Sequence, residues 1–190
     1  WVRDLEEGLL KEMAVQPKKS AEPGGLRSQI APEILRTLYE KMLYTYYVEE
    51  RTKVFVKQNK CSFHASSRGH EKLQICAAML LQPGKDWFLP YYREKALMVG
   101  LGMPLLDIFL GMLSREGDPN SNGRNMSEHF SSRPLRVVSP TACTGTQYLQ
   151  AVGLAKAVMA NGADEIVYVS SGEGATSEGE FYEAMNWAGR

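Results

Sequence analysis

The sequence predicts an α/β fold with a mainly parallel sheet flanked by helices, and three observations carry that expectation. A β-branched and aromatic run, Glu165-Ile-Val-Tyr-Val-Ser-Ser171, reads as a short buried strand. It passes through a glycine-rich turn, Gly172 to Gly179, into Glu180-Phe-Tyr-Glu-Ala-Met-Asn-Trp-Ala188, where Phe181, Met185 and Ala188 take the spacing of an amphipathic helix. Upstream, helical periodicities alternate with two more strand candidates, Asp86–Pro90 and Arg136–Ser139. Strands alternating with helices build parallel sheets whose ligand loops gather at the strands' carboxyl ends.

Bulk composition narrows the function classes. The 190 residues are 44% apolar, with 22 basic and 22 acidic side chains, enough for one domain with a real core. That balance makes no electrostatic case for nucleic acid or a membrane surface. No apolar run approaches the ~20 residues of a membrane span, and no basic-then-apolar signal peptide opens the chain. Cys61, Cys76 and Cys143 form an odd set without metal-ligand spacing, which predicts free thiols in a reducing cytoplasm. Starting at Trp1 and stopping at Arg190 inside its last motif, the chain reads as an excerpt of a longer protein.

The elements follow in order. Residues 1–30 are polar and broken by Pro17, Pro23 and Gly24-Gly25; they read as an arm lying on a partner subunit or as a disordered extension. Pro32 suits a first helical position. From there Ile34, Leu35, Leu38, Tyr39, Met42, Leu43, Tyr46 and Tyr47 predict a long helix to about Val56, packed on that stripe. Gly69-His70-Glu71 opens a second helix through Ile75, Ala78 and Leu81, with His70 as a hydrogen-bonding residue at its start. Asp86-Trp-Phe-Leu-Pro90 runs into Tyr91-Tyr92-Arg93-Glu94, and Pro104 begins a helix through Leu105, Ile108, Phe109 and Met112. Ser114 to Pro134 is a long loop of the kind that is functional or disordered. Arg136 to Ser139 is the next strand, with Arg136 at its edge. A helix from about Gln147 to Asn161 then places Leu149, Val152, Ala155, Ala157 and Val158 inside, with Asn161-Gly162 as its stop.

The turn after the last strand has chemistry of its own. In Gly172-Glu-Gly-Ala175 the glycines admit close backbone approach, a helix start offers free N–H groups, and Glu173 can hold a divalent cation. That set suits a diphosphate bound with a metal; an ordinary strand-to-helix connection fits the same residues.

The stretch Gly172-Glu-Gly-Ala-Thr-Ser-Glu-Gly-Glu-Phe-Tyr-Glu-Ala-Met-Asn-Trp-Ala188 resembles the thiamine diphosphate motif of the 2-oxo acid dehydrogenases, in the alpha-type half of their decarboxylating component. Glu173 stands where most relatives carry Asp, a variant typical of branched-chain enzymes. The resemblance covers about residues 32–190 and implies the thiamine diphosphate-binding fold, with residues 31–190 as the N-terminal part of that domain. It implies that Tyr92 and Arg93 bind the diphosphate, a role that suits the planar fork of donors on arginine and the extra phenol donor. Glu173 would hold magnesium, and Gly174 and Ala175 would donate backbone N–H groups. In Thr144-Gly-Thr-Gln-Tyr-Leu-Gln-Ala-Val-Gly153, the backbone at Thr144 would bond the aminopyrimidine, and Thr146 and Gln147 match a potassium site of some branched-chain relatives. Gly123-Arg-Asn-Met-Ser-Glu-His129 resembles the segment that brings a histidine to the active centre, which makes His129 the catalytic candidate. Asn186 matches an asparagine of the intervening helix; the closing metal-binding asparagine is expected after Arg190.

The implied reaction is oxidative decarboxylation of a branched-chain 2-oxo acid, 3-methyl-2-oxobutanoate, with thiamine diphosphate as electron sink and acyl transfer to a lipoyl-bearing acyltransferase component. The implied partner is a beta-type subunit or fused beta half, whose glutamate activates the cofactor. Pyruvate or acetoin as substrate, and a non-catalytic assembly fragment, are the competing readings.

Overall fold

The computed structural model describes residues 30–190, so the arm expected over residues 1–30 lies outside the described residues except for Ile30. Helix α1, Pro32–Lys57, starts on its proline. Its buried face is not the expected aromatic stripe: Ile34, Tyr39 and Tyr46 are exposed, and Thr45, Val48, Glu49, Thr52 and Phe55 face inward. The two threonines tolerate burial because their hydroxyls donate to the Lys41 and Val48 carbonyls one turn back, at 2.9 and 2.7 Å.

Helix α2, Glu71–Leu80, has His70 at its N-cap without a capping side-chain bond; the Glu71 carboxylate takes the Gly69 N–H instead, at 2.7 Å. Strand β1, Trp87–Leu89, is followed by α3, Lys95–Leu101, and α4, Leu105–Met112. The periodicity reading does not delimit α3. Its seven residues are nearly all buried, so they carry no polar face to betray a helical period.

The loop from 114 to 134 is ordered by Asp118, whose carboxylate accepts the Asn120, Ser121 and Gly123 N–H groups and the Ser121 hydroxyl. The strand expected at Arg136–Ser139 shrinks to bridges from Val137 to Phe88 and Ser132. Arg136 has φ of 54°, which breaks an extended run. Nor is Arg136 a passive edge residue: Nη1 reaches the Lys85 carbonyl at 2.5 Å and Glu165 Oε1 at 2.6 Å, and the guanidinium lies over Trp87.

Helix α5, Thr146–Ala160, buries Gln147, Tyr148, Ala151 and Val158, while Leu149 and Ala157 of the expected inner set are exposed. Strand β2, Val167–Val169, pairs in parallel with β1 in the register Trp87↔Val167, Phe88↔Tyr168, Leu89↔Val169. The Asp86 carboxylate staples the start of the pair, taking the Gln82 and Ile166 N–H groups. β2 is half-buried rather than buried, because β1 is its one paired neighbour among the described residues. A 3₁₀ turn, Glu173–Ser177, and helix α6, Gly179–Gly189, complete the chain. Of α6's expected stripe, Phe181 is half-buried and Met185 and Ala188 are exposed; Ala184 faces α5 and β2 instead.

Two cores result. Val48, Phe55, Phe88, Leu97, Met98, Ile108, Phe109 and Met112 centre the larger one; Tyr148, Ala175 and Ala184 form the smaller. The described residues are thus helices around a small parallel sheet, an α/β arrangement. None of their helices is long and apolar enough to cross a membrane.

Candidate functional site

Ser170, one residue past β2, ties together three of the stretches singled out in the sequence. Its hydroxyl accepts the Tyr91 N–H at 3.1 Å, and its carbonyl accepts from Gln147 Nε2 at 3.1 Å. Two residues further on, Gly172 packs under Tyr91. A Cβ there would lie 3.0 Å from the phenol oxygen and 3.1 Å from Cζ, so only glycine fits without moving the ring. Gly145, at the start of α5, has φ of 94°, and its Cβ would sit 3.1 Å from Glu178 Cβ. The Tyr91-Tyr92-Arg93 turn, the Thr144–Gln147 turn and the Glu173–Ala175 turn therefore converge at the carboxyl end of the strand pair. That is where ligands bind in parallel sheets.

The individual groups differ in readiness. Arg93 is half-buried, lies over the Tyr92 ring at 5.5 Å, and has no carboxylate ion pair among the described residues. Its fork of donors is available to an anion. Burial pushes the Tyr91 phenol up to about 12, with Tyr92 adding to the shift and Arg93 opposing it. Glu173 is exposed and heads the 3₁₀ turn, and Gly174 meets nothing within 4 Å where a Cβ would be. Ala175 differs: it is buried, and its N–H already bonds the Gly172 carbonyl at 3.1 Å, so it is not a free donor. Thr144 is exposed, while Gln147 is buried with its amide nitrogen committed to Ser170. No group of three or more His, Cys, Asp or Glu is assembled for a metal among the described residues. A cation at Glu173 would need oxygens from the ligand itself, as diphosphate-bound magnesium does.

His129 reaches this site through an aromatic stack. Its ring lies parallel to Tyr92, centroids 5.9 Å apart at 19°, and Phe63 meets Tyr92 edge-on from another segment at 5.8 Å. His129 is buried, with Nδ1 on the Ser127 carbonyl at 3.1 Å and Nε2 without a partner among the described residues.

Sequence reasoning passed over Ser170, Tyr91 and Glu94. A serine or tyrosine beside a strand carries no spacing signal. Glu94 closes the Tyr91-Tyr92-Arg93-Glu94 run. It is buried, accepts the Tyr168 hydroxyl at 2.9 Å, and burial pushes its carboxyl up to about 7 against the hydrogen bonds from Ser170 and Tyr168.

Comparison with known proteins identifies the family. The sequence model of the dehydrogenase E1 component family matches residues 39–190. The chain is 34% identical over 164 residues to the 2-oxoisovalerate dehydrogenase subunit alpha of Bacillus subtilis, covering 86% of this chain and 48% of the relative. It is 30% identical over 159 residues to the pyruvate dehydrogenase E1 component subunit alpha of Staphylococcus aureus, covering 84% and 40%. The chain thus spans less than half the length of these curated relatives. It belongs to the dehydrogenase E1 component family, on the alpha side.

Proposed function

We propose that this chain is the alpha-type half of a thiamine diphosphate-dependent 2-oxo acid dehydrogenase component, acting on a branched-chain 2-oxo acid such as 3-methyl-2-oxobutanoate. The observation that carries the reading is the meeting of the three turns on Ser170. When bound, thiamine diphosphate supplies the nucleophilic carbon and the electron sink that decarboxylation of a 2-oxo acid requires.

The chain's own residues bind and orient. Arg93, with no carboxylate partner among the described residues, would hold the diphosphate with Tyr92 adding its phenol donor, and Glu173 would hold magnesium. The open face of Gly174 leaves room for the ligand backbone-side, and the donor role expected of Ala175 passes to Gly174. The Thr144 backbone faces the aminopyrimidine, and potassium through Thr146 and Gln147 would have to use the Gln147 amide oxygen, since its nitrogen is taken. His129, stacked on Tyr92, would meet the substrate through Nε2, which has no partner among the described residues. A beta-type partner supplies the activating glutamate, and the acyl product leaves on a lipoyl-bearing acyltransferase.

Two observations favour a branched-chain substrate: the 2-oxoisovalerate relative and glutamate in place of aspartate at position 173. The pyruvate dehydrogenase relatives keep pyruvate as the second reading. The test pairs two carboxylates in the chain assembled with its beta-type partner. Glu173→Gln should abolish magnesium-dependent thiamine diphosphate binding in calorimetry. Glu180→Gln, in the first turn of α6, should leave it nearly intact. The reverse pattern removes the cofactor assignment, and a higher kcat/KM for pyruvate than for 3-methyl-2-oxobutanoate would replace the substrate.

A further inference from the structure

Three chain segments each send one residue to the aromatic cluster and a near neighbour to an ionic one. Phe63 and His129 flank Tyr92; His64, Glu128 and Lys95 turn the other way and meet behind it. Glu128 Oε1 takes Lys95 Nζ at 2.6 Å and His64 Nδ1 at 2.9 Å, and Oε2 takes the Ala65 N–H at 2.5 Å. Glu49 of α1 closes the set. It receives Lys95 at 3.1 Å, the Ser67 N–H and hydroxyl at 3.1 and 2.9 Å, and the Ser66 hydroxyl at 2.8 Å. His64 Nε2 approaches Glu49 Oε2 at 3.3 Å, within ion-pair reach but outside hydrogen-bond geometry.

Glu49, Lys95 and Glu128 are fully buried, and His64 is nearly so. The hydrogen bond to Glu128, and then the nearby Glu49 carboxylate, push the His64 imidazole up to about 9 against burial and the Lys95 charge, so it is a cation at neutral pH. Two carboxylates thus face two cations, a neutral set in which no member can leave without stranding a buried charge. Glu128 also adopts φ of 67°, an unfavourable backbone state for a side chain of its size that its surroundings must over-determine.

The next link is chemical. A carbonyl only accepts, so the 3.1 Å contact to Ser127 requires the proton on His129 Nδ1 and leaves Nε2 as a lone pair in the neutral ring. That lone pair is buried and has no partner among the described residues. Ser127 and His129 are the residues on either side of Glu128. Whatever holds Glu128 therefore holds the carbonyl, the tautomer and the ring orientation together.

We infer that Glu128 is a positioning residue: clamped by Lys95, His64 and Glu49, it locks the loop so that His129 stacks on Tyr92 as the Nδ1–H tautomer with Nε2 presented as an acceptor. The assignment of His129 to the substrate side rests on the reading under Proposed function; the lock itself does not.

The chain has three histidines, so ¹⁵N-histidine labelling resolves His129 from His64 and His70. In the wild type, the nitrogen shifts of His129 should report a single Nδ1–H tautomer. In Glu128→Gln that signature should give way to a mixture of tautomers. In the assembled enzyme kcat should fall about a hundredfold, as for a misplaced reacting group, with thiamine diphosphate affinity within about twofold of wild type. Should Glu128→Gln fail to fold, the double variant Glu128→Gln with Lys95→Met leaves Glu49 opposite His64 and keeps the set neutral, and it should also lose the His129 signature. A retained single tautomer in either folded variant overturns the proposal. If the signature is lost while kcat is unchanged, the lock stands and the role given to His129 falls.

Discussion

The two sides of the β1–β2 pair are built on opposite terms. On one side α1, α2, α3 and α4 enclose a large apolar core with a neutral ionic set inside it. On the other, α5, β2 and α6 close on Tyr148, Ala175 and Ala184, with Val152, Val169 and Phe181 half-covered around them. The most recognisable motif, Gly172–Ala188, lies wholly on the thin side. On the proposed function this turn admits a ligand and cannot be packed over, so its stability has to come from elsewhere, and ligand loops are drawn from the less stable parts of a structure. The thick side supplies that support, through Tyr91 to Ser170 and through the loop that carries His129.

The largest effect should come from emptying the thick side. Phe88→Ala, at the fully buried centre of β1, should cost about 3–5 kcal/mol in urea unfolding of the chain. Phe181→Ala on the thin side, already half-exposed, should cost less than half of that. Equal costs would dissolve the distinction between the two cores.

Next in size is the pH response of the ionic set. The His64 imidazole rises from 6.5 to about 9 on folding, so the folded state holds its proton more tightly than the unfolded chain. The stabilisation is complete below pH 6.5 and is lost as pH climbs through about 9. Allowing for partial exposure, it amounts to about 2 kcal/mol. Unfolding midpoints at pH 7 and pH 9.5 should differ by that amount in the wild type and by much less in His64→Gln. Glu94 has the same sign in a lower window, its contribution fading as pH rises from 4.5 to about 7, so it does not confuse the measurement.

The smallest effect separates two glycines of one motif. Gly172→Ala pushes a methyl against Tyr91 and should cost about 1 kcal/mol as the ring shifts, with weaker diphosphate binding as Tyr92 and Arg93 move with it. Gly174→Ala meets no protein atom and should leave the unfolding midpoint within about 0.5 kcal/mol. Its cost should appear only in cofactor titration. A stability loss at Gly174 would place it in the packing rather than at the ligand.

Much of this was legible in the chain itself. Local signals located α1, α2, α4 and α5 to within a residue or two, because Pro32, Pro104 and Asn161-Gly162 act on their own backbone neighbours. The motif spacing also named turns that the structure brings to one end of the strand pair. Which face each helix buries was decided by the tertiary structure. Periodicity describes a helix alone, whereas burial depends on the side it offers to neighbours, so Thr45 and Thr52 went inside and Tyr39 and Leu149 stayed out. The ionic set was out of reach for the same reason. His64 and Glu128 are 64 residues apart, and Glu49 and Lys95 are 46 apart. Charges become partners only when folding removes the water that would otherwise screen them.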